Sequence, residues 1–151
     1  MKNTFFALLL LAPAGHLFAQ DRHYEAPGQV QQSFQRDYPQ AENPRWSQTH
    51  DQWHADFTDK SPDDRGEMVA HYDRRGRHID SHVPYDQGDV PAEVTRRARD
   101  HYRGGRNYRY TRIERSGDQP ALFQVRVNLN GRDRTTYLDE NGRTRKYEDY
   151  H

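Results

Sequence analysis

The chain contains no cysteine. That absence excludes a disulfide-stapled scaffold, a thiol nucleophile, Cys-ligated zinc, iron–sulfur chemistry and a lipid anchor on Cys. Leu, Ile, Val and Phe are scarce as well. From Gln20 to His151 there are fifteen Leu, Ile, Val and Phe, a level that accompanies disorder when net charge is high. Net charge is not high. The 151 residues carry 23 Lys+Arg and 23 Asp+Glu, a balance that argues against a generic nucleic-acid binder. Catalytic signatures are missing too: no serine lies in a Gly-x-Ser-x-Gly elbow, and there is no phosphate-binding glycine loop, His-Glu-x-x-His or dinucleotide fingerprint. Acid pairs such as Asp63-Asp64 and Glu148-Asp149 fall in loop or tail sequence, where solvation is the default. The expectation is a protein without catalytic residues and without a cofactor.

What the chain does have is aromatic residues. Ten Tyr with Trp46 and Trp53 supply large burial per residue and offset the thin aliphatic supply. The length allows one ordinary domain, or two small ones sharing a core. Residues 1–19 read as a secretory signal peptide: Lys2 gives the positive start and Phe5 to Leu11 the apolar stretch. Leu17-Phe18-Ala19 offers a cleavage site before Gln20; Ala12-Pro13-Ala14 fits the small-residue rule better but leaves a very short leader. The apolar run is too short for a bilayer core of about 30 Å. A periplasmic or secreted protein, with no membrane span after the leader is removed, is expected.

The chain also repeats itself. A shift of 64 lays Ala26-Pro27…Val30…Phe34…Tyr38 over Val90-Pro91…Val94…Ala98…Tyr102, and Asn43, Arg45 and Trp46 over Asn107, Arg109 and Tyr110. A shift of 70 lays Trp53–Phe57 over Phe123–Val127, and a shift of 66 lays Tyr72-Asp73-x-x-Gly76-Arg77 over Leu138-Asp139-x-x-Gly142-Arg143. Four blocks in one order indicate duplication, with residues 20–88 as repeat 1 and 89–151 as repeat 2 of one shared domain. Apolar residues at i, i+4 and i+8 behind a proline predict a short helix at the start of each repeat, with Asp89 as N-cap of the second. Trp53, Ala55 and Phe57 alternate with Gln52, His54 and Asp56, and Phe123, Val125, Val127 and Leu129 with Gln124, Arg126 and Asn128, which is strand periodicity. Met68, Ala70 and Tyr72, then Thr136 and Leu138, continue it. Asn130-Gly131 marks a two-residue hairpin, and each Asp-x-x-Gly a turn ending in a left-handed glycine.

The predicted fold is α+β, one roughly eight-stranded antiparallel sheet with two helices on one face. Two short helices cover one face only. Alternation assigns His54, Asp56, Val69 and His71 to the other, open face, aligned with Gln124, Arg126, Thr135 and Tyr137. Of these, His54, Asp56, His71, Gln124, Arg126, Thr135 and Tyr137 are the candidate partner-binding residues. Trp46 and Tyr110 lie at the margin of that face if their strands turn the rings outward, and repeat parity leaves their direction open.

Tyr38-Pro39, Asn43…Trp46, the alternating strand and Tyr72-Asp73-x-x-Gly76-Arg77, all repeated after Val90-Pro91, resemble the PepSY-like proteins related in fold to β-lactamase inhibitor proteins. The resemblance covers Ala26 to Lys146. The second unit departs from it with Arg103-Gly104-Gly105 after the tyrosine and Tyr110 in place of tryptophan. The resemblance implies an exported bacterial protein of tandem α/β repeats with a concave sheet face. It implies binding of an envelope or secreted protein or peptide, with inhibition of an exported enzyme as one form of that binding.

Two other chemistries compete. His50-x-x-x-His54 and His78-x-x-x-His82 have ligand-like spacing, but that spacing converges side chains only on a helix. His54 and His71 are the better pair, as neighbours on the open face; surface histidines are the default and no metal ligand is assigned, with metal-ion binding through surface histidines kept as an alternative function. Val94 to Arg115 carries eight arginines against Asp100 and Glu114. Arg96, Arg97, Arg99 and Arg103 are the candidate anion-binding set for an envelope polyanion. Export removes genomic partners, so no nucleic acid is expected. Residues 21–93 sum to −7 and residues 94–151 to +6, so the neutral total is a cancellation between halves.

Overall fold

The computed structural model describes residues 24–60 and 66–147. The leader segment lies outside the described residues. The elements run α1 (Gly28–Asp37), β1 (Ala41–Thr49), β2 (Gln52–Asp59), β3 (Glu67–Asp73), β4 (His78–Tyr85), α2 (Ala92–His101), β5 (Arg106–Arg115), β6 (Leu122–Leu129), β7 (Arg132–Leu138) and β8 (Thr144–Arg145). All eight strands form one sheet in sequence order, and every neighbouring pair is antiparallel. The expected α+β architecture of two repeats on one sheet is the observed one.

The duplication extends to backbone detail. Each helix starts at a proline carbonyl: Val30 N–H donates to Pro27 O at 2.8 Å, and Val94 N–H to Pro91 O at 3.0 Å. The expectation of Asp89 as N-cap is corrected here. Pro91 caps α2 without a side-chain bond, and Asp89 instead closes a turn through its N–H to Asp86 O at 3.0 Å. Each helix ends at a tyrosine, Tyr38 or Tyr102, whose N–H reaches back to Phe34 O or Ala98 O. The first and fifth strands each carry a bulge, between Glu42 and Arg45 and between Arg106 and Arg109. Asn43 and Asn107 take positive φ there, 47° and 55°, a conformation asparagine tolerates better than most residues.

The Asp-x-x-Gly turns are superimposable in their bonding. Asp73 Oδ1 accepts from Arg75 N and Arg77 N at 2.8 and 2.9 Å, and Asp139 Oδ1 from Asn141 N and Arg143 N at 3.0 and 2.9 Å. Gly76 and Gly142 follow at φ 76° and 72°. Each glycine also lies under its own helix: a Cβ on Gly76 would sit 2.8 Å from Gln29 O, and one on Gly142 2.7 Å from Glu93 O. The turn therefore fixes helix against sheet in both halves.

One face carries most of the core; Ile113 and Leu122, in the cross-strand row of His82, are buried on the other. In repeat 1, Phe34 of α1 packs edge-on against Trp46, Phe57 and Tyr72, with centroids 5.4, 4.9 and 6.4 Å away, over Ala55, Met68 and Ala70. Repeat 2 has Ala98 at the matching helix position, and Val94 and Ala98 pack on Tyr110, Phe123, Val125 and Leu138. Val83, Arg112, Phe123 and Leu138 are successive cross-strand partners and so share a face. Both helices therefore cover the same side, and Tyr85 touches both clusters. No helix among the described residues is long and apolar enough to cross a membrane.

Candidate functional site

The register fixes what stands on the side away from the helices. His54 pairs with His71 and His71 with Asp80; Asp56 pairs with Val69 and Val69 with His82. In repeat 2, Arg126 pairs with Thr135 and Gln124 with Tyr137. All seven residues nominated from alternation lie on this face: six alternate with a buried neighbour of the core, such as Ala55, Ala70, Val125 or Leu138, and Thr135 is the cross-strand partner of Arg126. They fall in two groups. Gln124 Nε2 donates to Tyr137 Oη at 3.1 Å on β6 and β7. The His54 and His71 rings lie in tilted contact, centroids 4.4 Å apart, on β2 and β3.

Between the groups the structure places three residues that alternation did not nominate. Asp80 is only 3% exposed. Its Oδ1 lies 2.6 Å from His71 Nδ1 and 3.6 Å from His82 Nε2, and its Oδ2 accepts from the Tyr147 hydroxyl at 2.8 Å. The Tyr147 oxygen is also 3.2 Å from His82 Nε2, and its ring stacks on Tyr137 at 5.0 Å. The C-terminal segment thus reaches from β7 across the open face to β4. Burial alone would push the Asp80 carboxyl up; the hydrogen bond and charge of His71, the charge of His82 and the Tyr147 hydroxyl outweigh it and hold the group below the ordinary carboxylate value.

A bulge makes this cluster. His71 pairs with Asp80, but the next residue, Tyr72, pairs with His78, so Ile79 is the extra residue. The insertion reverses parity along β4. His78 turns to the helix side, with Nε2 at 2.6 Å from Ser81 Oγ and its ring 5.3 Å from that of Tyr72, while Asp80 and His82 turn to the open side. Burial pushes the His78 imidazole below its ordinary value. His78 and His82, four apart in sequence, consequently stand on opposite faces. His50 falls in the β1–β2 turn at φ 53°. Neither i, i+4 histidine pair forms a site.

Trp46 and Tyr110 both point to the core side. Trp46 pairs with Ala55 and packs on Phe34; Tyr110 pairs with Val125 and is buried. Neither ring lies at the margin of the open face. On α2, Arg96 bonds Glu93 and lies 3.4 Å from Asp100. Arg97, Arg99 and Arg103 are exposed on α2 and just beyond it. Farther along, Arg112 pairs with Glu114 at 2.8 Å. The arginine run is therefore split between a helix and strands and partly engaged with local acids.

The architecture defines a class: an eight-stranded antiparallel sheet of two α/β repeats with both helices on one side. Solved structures of that class match the chain. A BLIP-like protein from Bacteroides fragilis matches with a TM-score of 0.67 at 17% identity, over 86% of this chain and 94% of its own. A DUF2874 family protein from Bacteroides uniformis matches with a TM-score of 0.71 at 18% identity, over 81% and 88%. A presumed periplasmic protein from Bacteroides eggerthii matches with a TM-score of 0.72 at 16% identity, over 82% and 88%. These likenesses establish the BLIP-like fold and do not single out PepSY-like proteins within it. No protein-family model and no curated protein sequence matches the chain.

Proposed function

We propose that the protein is an exported, non-catalytic binding module that docks a protein or peptide on its open sheet face. One observation carries this reading. Both helices lie on one side, which leaves Arg126, Thr135, Gln124 and Tyr137 as a contiguous patch of accessible polar and aromatic groups on the other. Tyrosine and arginine beside smaller polar residues are the composition of an interface anchor rather than of a reaction centre. The leader sequence and the fold shared with a presumed periplasmic protein favour action in the envelope or outside the cell. Inhibition of an exported enzyme is the form of binding that the BLIP-like fold suggests; fold alone names no target.

The test is affinity capture of envelope proteins on the immobilised chain, followed by titration of each captured partner against variants. Tyr137→Ala with Arg126→Ala is expected to weaken a true partner at least tenfold, while replacing Arg96, Arg97 and Arg99 together leaves it unchanged. A partner lost with the helix arginines and released steeply between low and moderate salt would instead establish polyanion-type binding on α2. That result overturns the open-face reading.

A further inference from the structure

We infer that His71, Asp80 and His82 form a binding site for one divalent transition-metal ion of the zinc or copper type. Their donor atoms, one from each residue, all lie within 4.8 Å of one another. The inference stands on these three residues and not on the docking reading, and either can fail without the other.

Three features set the cluster apart from an ordinary surface ion pair. The first is donor chemistry. Two imidazoles and a carboxylate are the ligand set of zinc sites that keep a fourth position open, and imidazole suits copper and nickel equally. The second is placement. His71 and Asp80 are cross-strand partners on β3 and β4, and His82 follows two residues after Asp80 on the same strand. All three sit on inner strands of an eight-stranded sheet, where backbone position is fixed on both sides. Their side chains are 13%, 4% and 20% exposed, so little conformational freedom remains to be lost on binding.

The third feature is spacing. A tetrahedral ion with bonds of about 2.0–2.1 Å holds its ligands about 3.3 Å apart. The observed separations from Asp80 Oδ1 are 2.6 Å to His71 and 3.6 Å to His82. Admitting an ion requires the His71 contact to open by roughly 0.7 Å and the His82 contact to close by roughly 0.3 Å, which small side-chain rotations supply. The Tyr147 hydroxyl already bridges Asp80 Oδ2 and His82 Nε2, and it either leaves or becomes the fourth donor when the ion enters. His54 stands behind His71, its ring 4.4 Å away, and limits how far that imidazole can swing.

The site was out of reach of spacing rules because its ligands are not a sequence motif. His71 and Asp80 meet through strand pairing, and Asp80 and His82 stand on the face opposite His78 only because Ile79 is bulged. The matching strands of repeat 2, β7 and β8, hold no counterpart, since the offset of 66 lays Tyr137 over His71 and Lys146 over Asp80.

The experiment is calorimetric titration of the untagged, chelator-treated chain with Zn²⁺ and with Cu²⁺ at pH 7.5, with Mg²⁺ as a hard-cation control. One ion per chain is expected for Zn²⁺ or Cu²⁺ and none for Mg²⁺. His71→Asn and His82→Asn are each expected to weaken binding at least tenfold, and His101→Asn, on exposed helix α2, to leave it unchanged. Because a variant can fail to fold, imidazole resonances of the unaltered chain are followed in the same titration by nuclear magnetic resonance. Saturable shifts in His71 and His82, with His101 and His50 unmoved, are the expected result. No one-to-one binding in the unaltered chain overturns the inference. So does binding that persists at full strength in the folded His71→Asn, His82→Asn double variant, or resonance shifts confined to other histidines.

Discussion

The Tyr147 hydroxyl donates to Asp80 Oδ2 at 2.8 Å across 67 positions of sequence, tying the chain end of the second repeat to the last strand of the first. Hydrogen bonds to a buried charge contribute more than neutral ones. Tyr147→Phe keeps the ring stacked on Tyr137 and removes only the hydroxyl. We expect it to lower unfolding free energy by about 1.5 kcal/mol or more, measured by urea denaturation at pH 7. An unchanged midpoint would show that the tail contact adds nothing to the fold.

Gly76 and Gly142 should be intolerant of any side chain, and to similar degrees. Each has positive φ, and each would place a Cβ under 3.0 Å from a helix carbonyl. Alanine at either site is expected to cost about 2–4 kcal/mol, from the left-handed conformation plus the backbone clash. Gly117 is the control: its φ is 72° but nothing lies within 4 Å of the added atom. There Gly→Ala should cost only about 1–2 kcal/mol. Thermal denaturation of the three variants separates the two contributions.

Tyr110 presents the opposite case. Its hydroxyl is buried and has no hydrogen-bond partner among the described residues, and burial pushes the phenol's pKa up. An unsatisfied buried hydroxyl carries a desolvation cost with no return. Tyr110→Phe should therefore stabilise the protein, by about 1 kcal/mol. A loss of stability would reveal a partner for that oxygen.

The two turn aspartates set an acid limit. Burial alone would raise the Asp73 carboxyl, but the Arg77 and Arg75 N–H groups and the Arg77 guanidinium lower it; at Asp139 the Arg143 and Asn141 N–H groups and Arg145 do the same. A carboxyl whose folded value is depressed stabilises the fold above its unfolded value, near 3.9, and loses that contribution as pH falls through the folded value. The aspartates' contribution should be level from pH 7 to about 5 and lost below about 4, while the buried His78 imidazole, held below its ordinary value, adds an earlier loss of stability as pH falls below about 6.5. Asp73→Asn with Asp139→Asn should be less stable at pH 7 and show a shallower acid decline, checked by denaturation midpoints across that range.

Duplication made most of the architecture legible. The offsets that aligned Asn43 with Asn107 and Gly76 with Gly142 correspond to matched bulges and matched turns, although the asparagines' role in bulging their strands was not evident from residue type alone. Alternation placed His54, Asp56, His71, Gln124, Arg126, Thr135 and Tyr137 on one face because that period survives any register. It could not place Asp80 or His82. The β4 bulge at Ile79 shifts parity mid-strand, and no local residue preference announces it. Tyr147 was missed for another reason: its position depends on where the chain travels after β8, which periodicity does not govern. Trp46 and Tyr110 show the same limit, since the Asn43 and Asn107 bulges decide which way those rings turn.

A protein made by doubling one unit along a sheet faces the hazard that nothing in principle stops a third unit, or another molecule, from joining the row. The outermost strands answer it differently. On β1, Pro44 offers no N–H and lies inside the Glu42–Arg45 irregularity, so the strand's regular hydrogen-bonding pattern is interrupted there. On the far side β8 is two residues long, and the stretch of β7 it leaves uncovered begins Arg132-Asp133-Arg134, a charged rim that resists edge-to-edge pairing. Among the described residues both edges resist growth of the ladder, which protects the folded chain from strand-by-strand aggregation.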